Sequence, residues 1–186
     1  FSAKNFNSPL NSWNTSNLFS MYSIFTYSNF NQNINSWDVS KVTDMGYAFC
    51  NTENFNQPLN KWNTSNVINM IGMFGNSIFN QDISQWDISK VTNMSSMLYN
   101  AKFFNKNISK WNFDKVNYCD YMFERAESFI NKYNSGETLP LDTKEIKEWL
   151  INNKERMNMI DIKDKYGKEI DDFFSNFSNK EFSKEI

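Results

Sequence analysis

Five tryptophans, Trp13, Trp37, Trp62, Trp86 and Trp111, lie 24, 25, 24 and 25 residues apart. A fixed internal period constrains a fold more than any local propensity, so it is read first. Five further apolar columns keep the same register. They are Phe6, Phe30, Phe55, Phe79, Phe104 and Phe129; Leu10, Ile34, Leu59, Ile83 and Ile108; Leu18, Val42, Val67, Val91 and Val116; Met21, Met45, Met70, Met94 and Cys119; and Phe25, Phe49, Phe74, Leu98 and Phe123. One unit of this length cannot bury its own apolar face, whereas stacked units bury a continuous core.

Within a unit the pattern changes. Trp62 and Thr64 alternate with Asn63 and Ser65, as in a short strand. Val67, Met70, Met73 and Phe74 then fall on one face of a helical segment. Ser65, like Ser16, Ser40 and Ser89, is placed as an N-cap, and Asp114 takes that position in the fifth unit. The expectation is an α/β repeat solenoid, with a short strand and a short helical segment in each 24- or 25-residue coil. WNTSN at Trp13 and Trp62 alternates with WDVSK and WDISK at Trp37 and Trp86, so the full unit is a pair of coils. The extra residue follows the sixth column, which predicts alternating turns on that edge; the alternation fails at Phe123 to Phe129.

FNQPLNKWNTSNVINMIGMF and FNQDISQWDISKVTNMSSML resemble the repeat of BspA-type leucine-rich-repeat surface proteins, in the 25-residue form of Mycoplasma lipoproteins. The resemblance spans about residues 1–129. It implies a leucine-rich-repeat-like solenoid at the cell surface or outside the cell, with a non-enzymatic role in binding or adhesion. Leu18–Phe19 and Asn117–Tyr118–Cys119 depart from the motif in the first and fifth coils.

Two regions follow. Residues 1–129 form a five-coil solenoid that starts mid-repeat, since Phe1 precedes Phe6 as Phe25 precedes Phe30; the natural protein is therefore expected to continue N-terminally. Residues 130–186 form a C-terminal, mainly helical cap. Of the charged residues, 18 precede residue 130 and 22 follow it, and a solenoid needs such a polar-faced end. Asp142 and Glu145 fit a capping box ahead of Ile146, Trp149 and Leu150. Residues 159–170 read as a hairpin turning near Gly167 or as a broken helix, the hairpin being preferred. Phe173, Phe174 and Phe177 share one helical face.

Several functions are disfavoured. The chain has no histidine and five glycines, which removes His-based catalysis and a Gly-rich phosphate loop. Glu124 and Glu127 read as solvated carboxylates. A net charge of −2 calls for no nucleic acid, and no apolar run reaches the ~20 residues of a membrane span. Cys50 and Cys119 lie three coils apart, roughly 14 Å at ~4.8 Å per coil, beyond the ~7 Å reach of a disulfide, so both are expected to be free. No metal or cofactor is expected.

Two polar columns invite a sharper reading and receive a structural one. Asn14, Asp38, Asn63, Asp87 and Asn112 alternate amide with carboxylate, which suits a turn ladder better than a cation site. Asn7, Asn31, Asn56, Asn80 and Asn105 are expected to hold turn backbone. The tryptophan column is expected to be core, not a sugar platform. The candidate recognition face is Lys61, Asn63, Gln85, Asp87, Lys110 and Asn112, with Ser12 and Ser36, offered to a protein or glycan on a host or neighbouring cell. The alternative is a spacer or scaffold that self-associates by end-to-end stacking, and a third reading is an intracellular interaction scaffold.

Overall fold

The computed structural model describes residues 3–181, with side chains assigned through Gly167 and at Glu169. The spacing from Phe1 and the face formed by Phe173, Phe174 and Phe177 lie outside the described residues and side chains. Two helices are present, α1 over Glu127–Asn134 and α2 over Thr143–Glu181. Everything before α1 is built from turns, in coils that follow one another at the repeat spacing.

The α/β repeat solenoid is not what forms: among the described residues there are two helices and no strand or sheet. Consecutive coils are joined by single parallel bridges, Ser20 to Asp44 to Asn69 to Asn93 to Tyr118. These lie just before the Met column, not in the Trp–Thr stretch that alternates like a strand.

The expected helical segments are replaced for a specific reason. Each coil places two residues in the left-handed region, Ser23 and Tyr27, Tyr47 and Asn51, Gly72 and Asn76, Ser96 and Asn100, Tyr121 and Arg125. A left-handed residue costs about 1–2 kcal/mol when it carries a Cβ and interrupts a right-handed helix. What it gains is a bond to the next coil. The N–H groups of Met21, Ser23, Phe25 and Tyr27 donate to the carbonyls of Asp44, Gly46, Ala48 and Cys50 at 2.8–3.1 Å. The intervening Ile24, Thr26 and Ser28 donate locally, three residues back. Met45, Tyr47, Phe49 and Asn51 repeat the pattern toward Asn69, Ile71, Met73 and Gly75. An α-helix would consume these donors internally and leave the coils unjoined.

The serine column also plays a different part. Asn14, Asp38, Asn63, Asp87 and Asn112 each accept, through Oδ1, from the backbone N–H two residues on, at Ser16, Ser40, Ser65, Ser89 and Asp114. The serines and Asp114 receive the cap rather than supply it, and the turn reading of the Asn/Asp column holds. The second column holds too: Asn7, Asn31, Asn56 and Asn80 accept from the N–H of Asn31, Asn56, Asn80 and Asn105 at 2.8–3.2 Å. One amide per coil thus pins the next coil's backbone.

The apolar columns form one core. Val67, Met70, Met73 and Phe74 are all fully buried, as the pattern requires, although no helix carries them. Phe30, Phe55 and Phe79 stack at 6.1 and 6.2 Å, and Phe49 lies 4.1 Å from Phe55. Trp37, Trp62, Trp86 and Trp111 are buried, and each indole N–H donates to a carbonyl of the preceding coil, from Leu10, Ile34, Leu59 and Ile83. Trp13 differs: it is 59% exposed and stacks 6.3 Å from Trp37.

The paired-coil rhythm has a visible cause. Thr15 and Thr64, in odd coils, bond backbone of the even coils at Asp38 N–H and the Asp87 carbonyl; the matching even positions are the buried Val39 and Ile88. The edge turns alternate as well. Ser28 and Ser77 close the shorter turn onto Phe25 and Phe74, and Thr52 sits in the longer one. Where the alternation fails, after Phe123, α1 begins.

α2 runs against the fifth coil and completes its bonding. Tyr121 N–H donates to the Leu141 carbonyl, Cys119 N–H to Thr143 Oγ1, and Lys147 Nζ to the Val116 carbonyl. Asp142 Oδ1 accepts from Glu145 N–H at 3.0 Å, the expected cap. Ile146, Leu150 and Met157 are buried. The preferred hairpin near Gly167 does not form, because α2 continues through it. Residues 159–170 lie within a helix whose intramolecular bonds are already propagating, and one glycine costs that helix only about 1 kcal/mol.

Both cysteines are free and buried. Burial pushes both thiols up, Cys119 to about 11. This suits inert packing groups, since the thiolate is the reactive form.

Candidate recognition face

Burial of the tryptophans decides which neighbours face solvent. With Trp62, Trp86 and Trp111 turned inward, Lys61, Gln85 and Lys110 on one side and Asn63, Asp87 and Asn112 on the other are all exposed. The structure therefore brings the six candidate residues onto one side of three consecutive coils. Ser12 and Ser36 continue the row toward the first coil, also exposed.

The two columns are not equivalent. Asn63, Asp87 and Asn112 are engaged in their own turns. The Ser89 backbone N–H, then its hydroxyl, holds the Asp87 carboxyl below the usual range, and Asp38 is lowered by Ser40 through its hydroxyl and then its N–H. In the other column, Lys61 is anchored through its backbone N–H to Asn35 Oδ1, and the Gln85 side-chain amide donates to Ser84 Oγ at 3.1 Å. The Asn/Asp column thus shapes the coil, while the column of Lys61, Gln85 and Lys110 varies in residue from coil to coil.

The fifth-coil end of this face adjoins a notch that sequence reasoning missed. Its walls are Lys110, Trp111, Asn112 and Phe113 from the coil, and Lys147, Leu150, Ile151 and Lys154 from α2, around about 310 Å3. A wider polar groove lies on another edge, between Asn80, Asp82, Asn105 and Asn107 and the helices. There Lys132 Nζ sits 2.8 Å from Asp161 and 3.0 Å from Asp164. Tyr133 donates to Asp161 at 2.8 Å, and Asn158 accepts from Asn107 and Ser109. Burial opposes the charge on Lys132, but the two carboxylates prevail and its pKa rises; burial likewise opposes the charge on Asp161, whose bonds to Lys132 and Tyr133 bring it down. These charges clamp α1 to α2, and Asn158 ties α2 to the coils through Asn107 and Ser109. The helical spacing of Asp161 and Asp164 was a usable signal; their partners Lys132 and Tyr133, on α1, were not visible in sequence.

Glu124 and Glu127 sit 3.7 Å from Arg125 and 3.8 Å from Lys102, in pairs at the surface. Among the described residues every buried side-chain nitrogen and oxygen is hydrogen-bonded. No helix among them is long and apolar enough to cross a membrane.

Stacked turn coils with an exposed variable column define a tandem-repeat protein. A family model described as "Mycoplasma protein of unknown function, DUF285" matches residues 1–77 and 26–136. The chain belongs to this family, and it is a Mycoplasma-type repeat protein. The two overlapping matches cover the repeat coils and α1. No curated protein and no solved structure matches the chain.

Proposed function

We propose that this chain is a non-enzymatic binding module displayed at a cell surface, where its coils engage a protein or glycan of a host or neighbouring cell. The observation that carries the reading is the alignment of Lys61, Gln85 and Lys110, exposed and chemically varied, over a column of buried tryptophans. A scaffold that repeats its core residues while varying one outward column is suited to recognition through many weak contacts. The likeness of the repeat motif to BspA-type surface proteins points the same way, and the lack of histidine weighs against catalysis.

Binding of the monodisperse chain to a panel of matrix proteins and glycans tests this. The expected result is a saturable partner whose affinity drops when Lys61, Gln85 and Lys110 are replaced together by Ala, with unfolding unchanged. A panel without any saturable partner counts against it.

A second reading is a spacer or scaffold that assembles end to end. It draws support from the general capacity of unpaired backbone edges to associate. Light scattering that grows with concentration would favour it.

A further inference from the structure

The fifth coil departs from the repeat at one core position. Where the other coils carry Thr15, Val39, Thr64 and Ile88, it carries Phe113. That ring lies 6.2 Å from Trp111, and both line the notch between the coil and α2. Leu150 closes the apolar floor, and Ile151, 69% exposed, stands at its rim.

Three lysines surround this floor: Lys110 from the coil and Lys147 and Lys154 from α2. Lys147 is held in place by its bond to the Val116 carbonyl at 2.9 Å. None of the three is ion-paired among the described residues, and Asp114 is the one carboxylate in the lining. The combination is specific. A concave apolar floor about 310 Å3 in size admits one or two large side chains, at the small end of ligand pockets. The surrounding cations favour carboxylates beside those side chains. A glycan would leave the apolar floor unused, and a flat lipid surface would not enter a concave site.

We propose that this notch docks a segment of a partner protein, with one or two large apolar side chains seated on Phe113 and Leu150 and flanking carboxylates facing Lys110, Lys147 and Lys154. This rests on the binding-module reading and names the class of partner for the fifth-coil end of the face.

The test uses the full chain and a fluorescein-labelled hexapeptide of sequence EDLFDE, followed by fluorescence anisotropy. Saturable binding is expected, with little binding of EDSSDE or KKLFKK. Replacing Lys110 and Lys154 together by Glu should weaken binding by about tenfold, the scale of two exposed charge pairs reversed. Ile151→Glu, at an exposed helix position, should weaken it separately, with thermal unfolding of each variant checked alongside. Binding of EDSSDE as tight as EDLFDE, unchanged affinity in both variants, or no saturation at all would each overturn the docking site. The two readings fail differently. A panel partner lost on changing Lys61 and Gln85 but indifferent to Lys154→Glu and Ile151→Glu removes this notch and keeps the binding module. A panel without partners removes the module.

Discussion

The coils and α2 meet the same need, pairing backbone polar groups, in opposite ways. In the coils, alternate N–H groups leave the turn and bond the next coil; in α2 they bond within the helix. Apolar residues three and four apart occur in both, as Met70, Met73 and Phe74 in a coil and Ile146 and Leu150 in α2. Spacing therefore does not separate the two conformations. What separates them is whether a neighbouring backbone lies alongside to accept the donors, and whether residues such as Gly72, Asn76 and Asn100 take left-handed positions.

The largest expected contrast lies in side-chain truncation. Trp62 is 5% exposed and bonded to the Ile34 carbonyl, so Trp62→Ala should cost about 3–5 kcal/mol in chemical denaturation and broaden the transition. Ile162→Ala on exposed α2 surface should stay within about 0.5 kcal/mol. Equal effects would mean that the coils do not share a core.

Glycines sharpen the contrast by sign. At Gly72, φ is +58° and an added Cβ would collide with the Tyr47 ring. Gly72→Ala should cost about 2–4 kcal/mol, from backbone strain and overpacking. Combining it with Tyr47→Ala should recover only the steric part. At Gly167 an added Cβ meets Lys163 at an ordinary 3.5 Å, so Gly167→Ala should stabilise by about 0.5–1 kcal/mol. Thermal unfolding of both variants checks this, and a stabilising Gly72→Ala would contradict the left-handed turn.

A smaller loss is expected along the amide ladder. Asn56 Oδ1 accepts from Asn80 N–H and the Gln81 amide, and Asn56→Ala leaves those donors without it. About 1–3 kcal/mol should be lost, with hydrogen exchange at the Asn80 amide accelerating first.

The smallest effect is acid sensitivity. Asp38 and Asp87 have folded-state pKa values below the ordinary carboxylate value. Their contribution is complete above the unfolded pKa near ~4 and is lost as pH falls through the lower folded value. Asp38→Asn with Asp87→Asn should flatten the stability profile below pH ~4 and leave neutral stability nearly unchanged. An unaltered acid limb would show that these carboxylates play no part in it.

The repeat alone determined which residues share columns and which of them are buried, because a fixed period and six apolar columns admit only one stacking register. It also determined the amide ladders, the isolation of Cys50 from Cys119 and the Asp142 cap, each a matter of residue type at a known spacing. Trp13 was the exception in its column, 59% exposed while Trp37, Trp62, Trp86 and Trp111 are buried, a difference that the shared spacing does not show. Lys61, Gln85 and Lys110 were legible as an outward column and Asn63, Asp87 and Asn112 as a turn ladder, while the partners of those turns, the N–H groups of Ser65, Ser89 and Asp114, became visible only with the backbone in place. Tertiary structure alone decided the conformation inside each coil: turn and helix share the same apolar spacing, and the choice rests on hydrogen bonds donated to another coil. It alone decided the notch as well, because Phe113 and Lys154 are 41 residues apart in the sequence and meet only where α2 lies across the fifth coil.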